Sequence, residues 1–91
     1  PEAALVGAAS GMFANSGPPS LPPVESSAAF LTAYQEVRGR TFTAEETEVA
    51  WAASVWPAAH NGRWEALHGD PPLSGDQVRD QGAERLRRAN A

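Results

Sequence analysis

The chain has 91 residues, which allows one small domain and leaves no room for a two-lobed enzyme or a large cofactor fold. Hydrophobic residues make up 42% of it, but 18 of them are Ala, leaving 20 larger apolar side chains for a thin core. Seven Arg, no Lys and 11 acidic residues give a net charge of −4, which argues against a nucleic-acid partner, and the lack of Cys removes disulfides, thiolate metal sites and thiol nucleophiles. No apolar run approaches the ~20 residues of a membrane span, and the first residues lack the basic and hydrophobic stretches of a signal peptide. The expectation is a soluble, cytoplasmic protein with no membrane partner. Ile and Lys, both encoded by A/T-rich codons, are absent while Ala, Gly, Pro and Arg abound, which points to a high-GC bacterial gene. The first residue is Pro1 and the only Met is Met12, as expected for a piece of a longer protein.

In chain order, Leu5, Ala9, Met12 and Phe13 mark one stripe of a helix over 2–14, closed by Gly17-Pro18. Residues 15–24 hold four prolines and read as a Pro-rich linker within a single helical subdomain spanning 1–91. Pro19 and Pro22 match the minimal ligand of proline-binding modules, though a spacer is the simpler reading. A second helix runs over 25–38, with Phe30, Ala33, Tyr34 and Val37 on one face and Gly39 as its left-handed cap. Thr43-Ala44-Glu45-Glu46 has the form of a capping box and starts a third helix over 44–68. Its stripe is Val49, Ala52, Ala53, Trp56 and Ala59, continued by His60, Trp64, Leu67 and His68. Pro57 interrupts it, and the unbroken phase of the stripe favours a kink there over a new helix. Ser74-Gly75-Asp76-Gln77 reads as another capping box opening a last helix over 75–89, with Val78, Gly82, Arg85, Leu86 and Ala89 as its stripe. Arg85, Arg87 and Arg88 near its end complement the helix dipole. The fold class is therefore all-α, four helices, with no segment patterned as a strand.

Few side chains suggest chemistry. His60 and His68 lie two turns apart, about 12 Å, too far to share one ion, and Glu65 falls off their stripe, so no metal site is expected and a partly buried, hydrogen-bonded His pair is the simpler reading. Three Trp are a heavy allotment for a thin core. Trp56 and Trp64 share the stripe while Trp51 sits about 140° away from Trp56. Core packing is the bland account; the functional one makes Trp56, His60 and Trp64 one wall of a substrate pocket completed by another part of the protein. Glu45, Glu46 and Glu48 form an acidic first turn, most simply a solvated end suited to the helix dipole, with attraction of a cationic substrate as the alternative. No phosphate-binding Gly-rich loop, nucleophile elbow or acid pair with a positioned base is present, so no catalytic residue is assigned.

Glu2-Ala3-Ala4-Leu5-Val6-Gly7-Ala8-Ala9, Phe30-Leu31-Thr32-Ala33-Tyr34, Arg38-Gly39-Arg40-Thr41-Phe42-Thr43 with Glu45-Glu46, Trp51-Ala52-Ala53-Ser54 with His60-Asn61 and Glu65, and the ending Ala83-Glu84-Arg85-Leu86-Arg87-Arg88-Ala89 together resemble the C-terminal end of bacterial aminoglycoside phosphotransferase-family enzymes. The resemblance spans nearly the whole chain but rests on helical phrases, with no catalytic signature. It implies a kinase-like parent whose His-x-Asp-x-x-x-x-Asn loop and magnesium-holding Asp lie upstream, and Asp70, Asp76 and Asp80 match neither. ATP and magnesium are thus implied for the parent and no cofactor for this chain, which would pack on the upstream catalytic region, flank the site of a small-molecule acceptor and be inactive alone. Pro57 departs from the uninterrupted helix expected of the family. A standalone helical interaction module is the rival reading. A helix-turn-helix DNA binder is weakened by the acidic balance and the lack of a basic recognition helix.

Overall fold

Local signals fix most of the helix ends. The computed structural model describes residues 2–12 and 21–90, and in it the chain forms α1 (Glu2–Ser10), α2 (Val24–Arg38), α3 (Ala44–Ser54), α4 (Trp56–His68) and α5 (Leu73–Ala89), with no strand among the described residues. The all-α expectation holds, with five helices among the described residues in place of the four expected. Gly39 and Gly69 take left-handed φ values of 74° and 68° at the ends of α2 and α4, where a side chain would be strained. At α3 the Thr43 hydroxyl accepts from the Glu46 amide at 3.1 Å while the Glu46 carboxylate accepts from the Thr43 amide at 2.9 Å, the reciprocal box read from sequence. Phe13, Ala14 and most of the Pro-rich segment lie outside the described residues. Its described end is anchored: Leu21 and Pro22 are buried, and the Leu21 amide donates to Gln77 Oε1.

Pro57 splits the third helix where a kink was expected. Ser54 ends α3, Val55 serves as cap to both helices, and α4 restarts at Trp56 with the proline in its first turn. The reason is the missing donor: in a helix interior Pro57 would leave the Ala53 carbonyl unpaired and clash with it, whereas first-turn residues need no intrahelical partner. The expected capping box at Ser74 is also absent. The cap of α5 comes from α4, where the Glu65 carboxylate accepts from the Ser74 amide at 3.0 and 3.1 Å and from the Gly75 amide at 3.3 Å. Those bonds hold Glu65 below its ordinary pKa, the Ser74 amide contributing most. A carboxylate at a helix N-terminus also suits the dipole.

Helix α1 packs on α3, α3 on α5, α5 on α4, and α2 closes over α1. The core cluster consists of Ala3, Val6, Leu31, Phe42, Ala50, Trp51 and Ala89, with Val24, Ala28, Phe30 and Tyr34 packed against it. Three expected faces are therefore corrected. Helix α1 buries Ala3, Val6, Gly7 and Ser10 while Leu5 is exposed. Helix α2 packs Phe30 and Tyr34 of the expected face on the core, but its buried residues are Ser27 and Leu31, and Val37 lies in solvent. Helix α3 buries Ala50, Trp51 and Ser54, not the stripe through Val49 and Ala52. The cause lies between α1 and α3: a Cβ on Gly7 would stand 2.1 Å from the Ala50 carbonyl oxygen and one on Gly11 1.9 Å from that of Ser54, so backbones touch where only small residues fit.

Arg85, expected on the stripe of the last helix and, near its end, as a complement to the dipole, is fully buried. All five guanidinium donors are used. Nε and Nη2 reach Gln81 Oε1 at 3.2 and 3.0 Å, Nη1 reaches the hydroxyls of Ser27 and Ser54 at 3.0 Å each, and Nη2 reaches the Pro22 carbonyl at 2.6 Å. The Ser27 hydroxyl in turn donates to the Ser10 carbonyl at 2.7 Å, which brings α1 into the same network. Burial, with a smaller push from Arg88, pulls the guanidinium down to about 10, so it stays charged at neutral pH.

A second network ties the start of α1 to α2 and α3. Glu2 accepts from the Tyr34 hydroxyl, from Arg38 at 3.0 Å and from Arg40 at 2.7 Å, and Arg40 also holds Glu46. The Tyr34 hydroxyl first, then Arg40 and Arg38, lower the Glu2 carboxyl from 4.5 to about 2. Arg40 and the Thr43 amide lower Glu46 to about 2, and Arg87 and Arg88 do the same for Glu84. Because the folded state holds these carboxyls deprotonated, it binds fewer protons than the unfolded chain between those limits, and stability rises with pH across them. The expected result is a melting temperature steady above pH ~5 that falls progressively from about 4.5 toward 2. Glu2→Gln should lower the neutral-pH value and flatten the acid slope. An unchanged slope in a pH series of thermal melts would remove Glu2 from the account.

Candidate functional site

Helix α4 lies at the edge of the fold and buries only Pro57 and Ala58. Because α4 runs unbroken from Trp56 with Pro57 in its first turn, Trp56, His60, Trp64 and His68 follow at intervals of four along one inclined ridge. Trp56 is 64% exposed and Trp64 58%. Each stacks on the imidazole one turn further on: Trp56 on His60 with centroids 5.4 Å apart and planes 16° apart, Trp64 on His68 at 3.6 Å and 25°. The structure thus puts Trp56, His60 and Trp64 on one face, with His68 and the exposed Leu67 of the same expected stripe beside them.

The bland readings of these groups are corrected. Both imidazoles are exposed, not partly buried. His68 Nδ1 lies 2.9 Å from the Trp64 carbonyl oxygen, and a carbonyl only accepts, so that bond needs a proton on Nδ1. Of the three Trp, only Trp51 does core work: it is 6% exposed, with the guanidinium carbons of Arg85 and Arg88 at 5.9 and 5.7 Å from its ring centroid. The separation of Trp51 from Trp56 around the helix was the usable signal, and the core took the side opposite to the one expected. The acidic turn divides as well, with Glu46 paired to Arg40 and Glu45 and Glu48 exposed.

Chemically the α4 ridge is a stacking surface. Flat indole and imidazole faces present π-density and C–H edges, while the free edges of the His rings supply hydrogen bonding. Among the described residues no group of three or more His, Asp or Glu side chains converges as a metal site would require. No helix is long and apolar enough to cross a membrane among the described residues. No protein-family model, curated protein or solved structure matches this chain.

Proposed function

We propose that this chain is the acceptor-flanking helical subdomain of an ATP-dependent phosphotransferase similar to the aminoglycoside phosphotransferase family. In this reading the upstream region binds ATP and magnesium and carries out transfer of the γ-phosphate to a small hydroxyl-bearing substrate. The observation that carries the reading is the α4 ridge. Trp56, His60 and Trp64 are exposed on a helix that gives its own core only Pro57 and Ala58, so they serve no packing need of this chain. An aromatic wall of that kind suits the ring face of a compact acceptor. The catalytic groups belong upstream, and Trp56, His60 and Trp64 orient the acceptor without taking part in the chemistry.

The test is Trp64→Ala, made twice. In the 91-residue chain it should change stability by less than about 1 kcal/mol, as for an exposed site. In the full-length enzyme it should raise KM for the acceptor while leaving KM for ATP unchanged, the pattern of a contact made to one substrate alone. Unchanged kinetics with both substrates would remove the ridge from the acceptor site. Calorimetry of the 91-residue chain with ATP and magnesium should show no saturable binding.

One observation favours a second reading, a helical interaction module that docks a partner through the same ridge. The five donors of Arg85 are satisfied by acceptors from within this chain alone, so the core closes without outside help. The coding sequence upstream of Pro1 separates the two. A reading frame with His-x-Asp-x-x-x-x-Asn supports the enzyme, and a start codon next to Pro1 supports the module.

A further inference from the structure

A cleft of about 370 Å³ opens between α2, the loop that follows it, α3 and the end of α5. Leu31, Phe42 and Trp51 line it, each less than a tenth exposed, and Thr47, Arg87 and Arg88 complete its wall. No residue of the α4 ridge takes part. Its volume falls within the range of small-ligand pockets, ~300–1,000 Å³, and its chemistry is that of apolar and aromatic side chains beside Thr32, Gln35 and two arginines.

The counter-ions of those cations are unequal. Arg87 and Arg88 share Glu84, which receives Nε of Arg87 at 2.9 Å and Nε of Arg88 at 2.8 Å. The remaining partner of Arg88 is Glu25, reached across from α5 to α2, and the Glu25 side chain is 79% exposed. Glu84 is bound from two sides and stays, whereas Glu25 is held at one point and faces water. An incoming carboxylate can take its place at the Arg88 guanidinium without leaving a buried charge unpaired. We infer that this cleft is a binding site for a flat aromatic carboxylate, whose ring enters beside Leu31, Phe42 and Trp51 and whose anionic group displaces Glu25 from Arg88. The inference stands apart from the phosphotransferase reading, because it uses neither the α4 ridge nor any upstream residue.

The probe is 2-naphthoate, titrated into the full 91-residue chain and followed by 1H–15N correlation spectra, with uncharged 2-naphthylmethanol as its counterpart. Naphthoate should move the amides of Leu31, Phe42 and Thr47 and the Trp51 indole saturably, with Kd on the order of 1 mM for an open site and a ligand of about 13 heavy atoms. The alcohol should bind about tenfold more weakly, since it lacks the charge-assisted bond. Glu25→Gln should tighten naphthoate binding about twofold to fivefold by removing the competing carboxylate, and Arg88→Met should weaken it about tenfold. If Arg88→Met fails to fold, Glu25→Gln decides alone. Equal binding of acid and alcohol, no tightening in Glu25→Gln, shifts centred on Trp56 and Trp64, or no saturation would each overturn the assignment.

Discussion

Arg85→Met should destabilise the chain by about 3 kcal/mol or more while leaving it helical. The substitution keeps a similar apolar stem, so the loss measures the guanidinium and not an emptied space. Five bonds disappear, and hydrogen bonds to a charged group contribute about 1.5–3 kcal/mol each before compensation. The Pro22 carbonyl loses its partner in a buried place and Gln81 Oε1 in a half-buried one, whereas the Ser27 and Ser54 hydroxyls still donate to the carbonyls of Ser10 and Trp51. Against this stands the relief of burying one charge fewer, several kcal/mol in the opposite direction, which brings the sum well below the gross loss. The net figure is still a large share of the ~5–15 kcal/mol that holds a domain folded. Arg85→Lys should fail to rescue, because a single ammonium cannot replace a planar fork that meets acceptors from α2, α3, α5 and the segment before α2. Urea unfolding of the three proteins checks this. A wild-type midpoint in Arg85→Met would mean that the cost of burying the charge cancels the bonds.

Arg85 also shows which parts of the fold could be read from sequence. Its place among Val78, Gly82 and Ala89 on the apolar stripe of α5 was visible, and a charged residue on such a stripe is the signal that it is buried and bonded. Gln81, one turn back on α5, is the local acceptor, but nothing in α5 announces Ser27, Ser54 and Pro22, which lie 31 to 63 positions away along the chain. Helix ends were legible where their signals are local, as at Thr43 with Glu46 and at Gly39 and Gly69. They were not legible where the cap comes from another helix, as Glu65 does for Ser74. Buried faces were legible least. Helices α1 and α3 carry apolar residues on all sides, so ranking positions by side-chain size chose Leu5 and Val49, while the packing chose the positions where backbones could touch. For the candidate site, the common face of Trp56, His60 and Trp64 followed from their spacing within one helix. Their exposure did not, because it depends on where α5 lies. The cleft beside Trp51 left no sequence signal, since its walls come from three separate helices.

Two glycine-to-alanine substitutions should act in opposite directions. In isolation either would favour the helix, since Ala is about 1 kcal/mol better than Gly in a helix interior. Gly82, within α5, has no atom within 4 Å of its would-be Cβ among the described residues, so Gly82→Ala should collect about 0.5–1 kcal/mol of added stability. Gly7 faces the opposite situation: the new methyl would lie 2.1 Å from the Ala50 carbonyl oxygen and 2.6 Å from its Cα. No rotamer relieves a contact between a Cβ and backbone, so α1 must move off α3 as a body. That movement loosens the burial of Ala3 and Val6, and it draws the Ser10 carbonyl from the Ser27 hydroxyl that Arg85 depends on. Overpacking costs about 1–3 kcal/mol where side chains can adjust and more where they cannot. Gly7→Ala should therefore lose at least about 2 kcal/mol net of the propensity gain, with Gly11→Ala behaving alike against the Ser54 carbonyl at 1.9 Å. Chemical denaturation of the three variants side by side is the measurement. If Gly7→Ala gained stability as Gly82→Ala does, the close seat of α1 on α3 would be wrong, and with it the reason that the buried faces of both helices avoid their largest side chains.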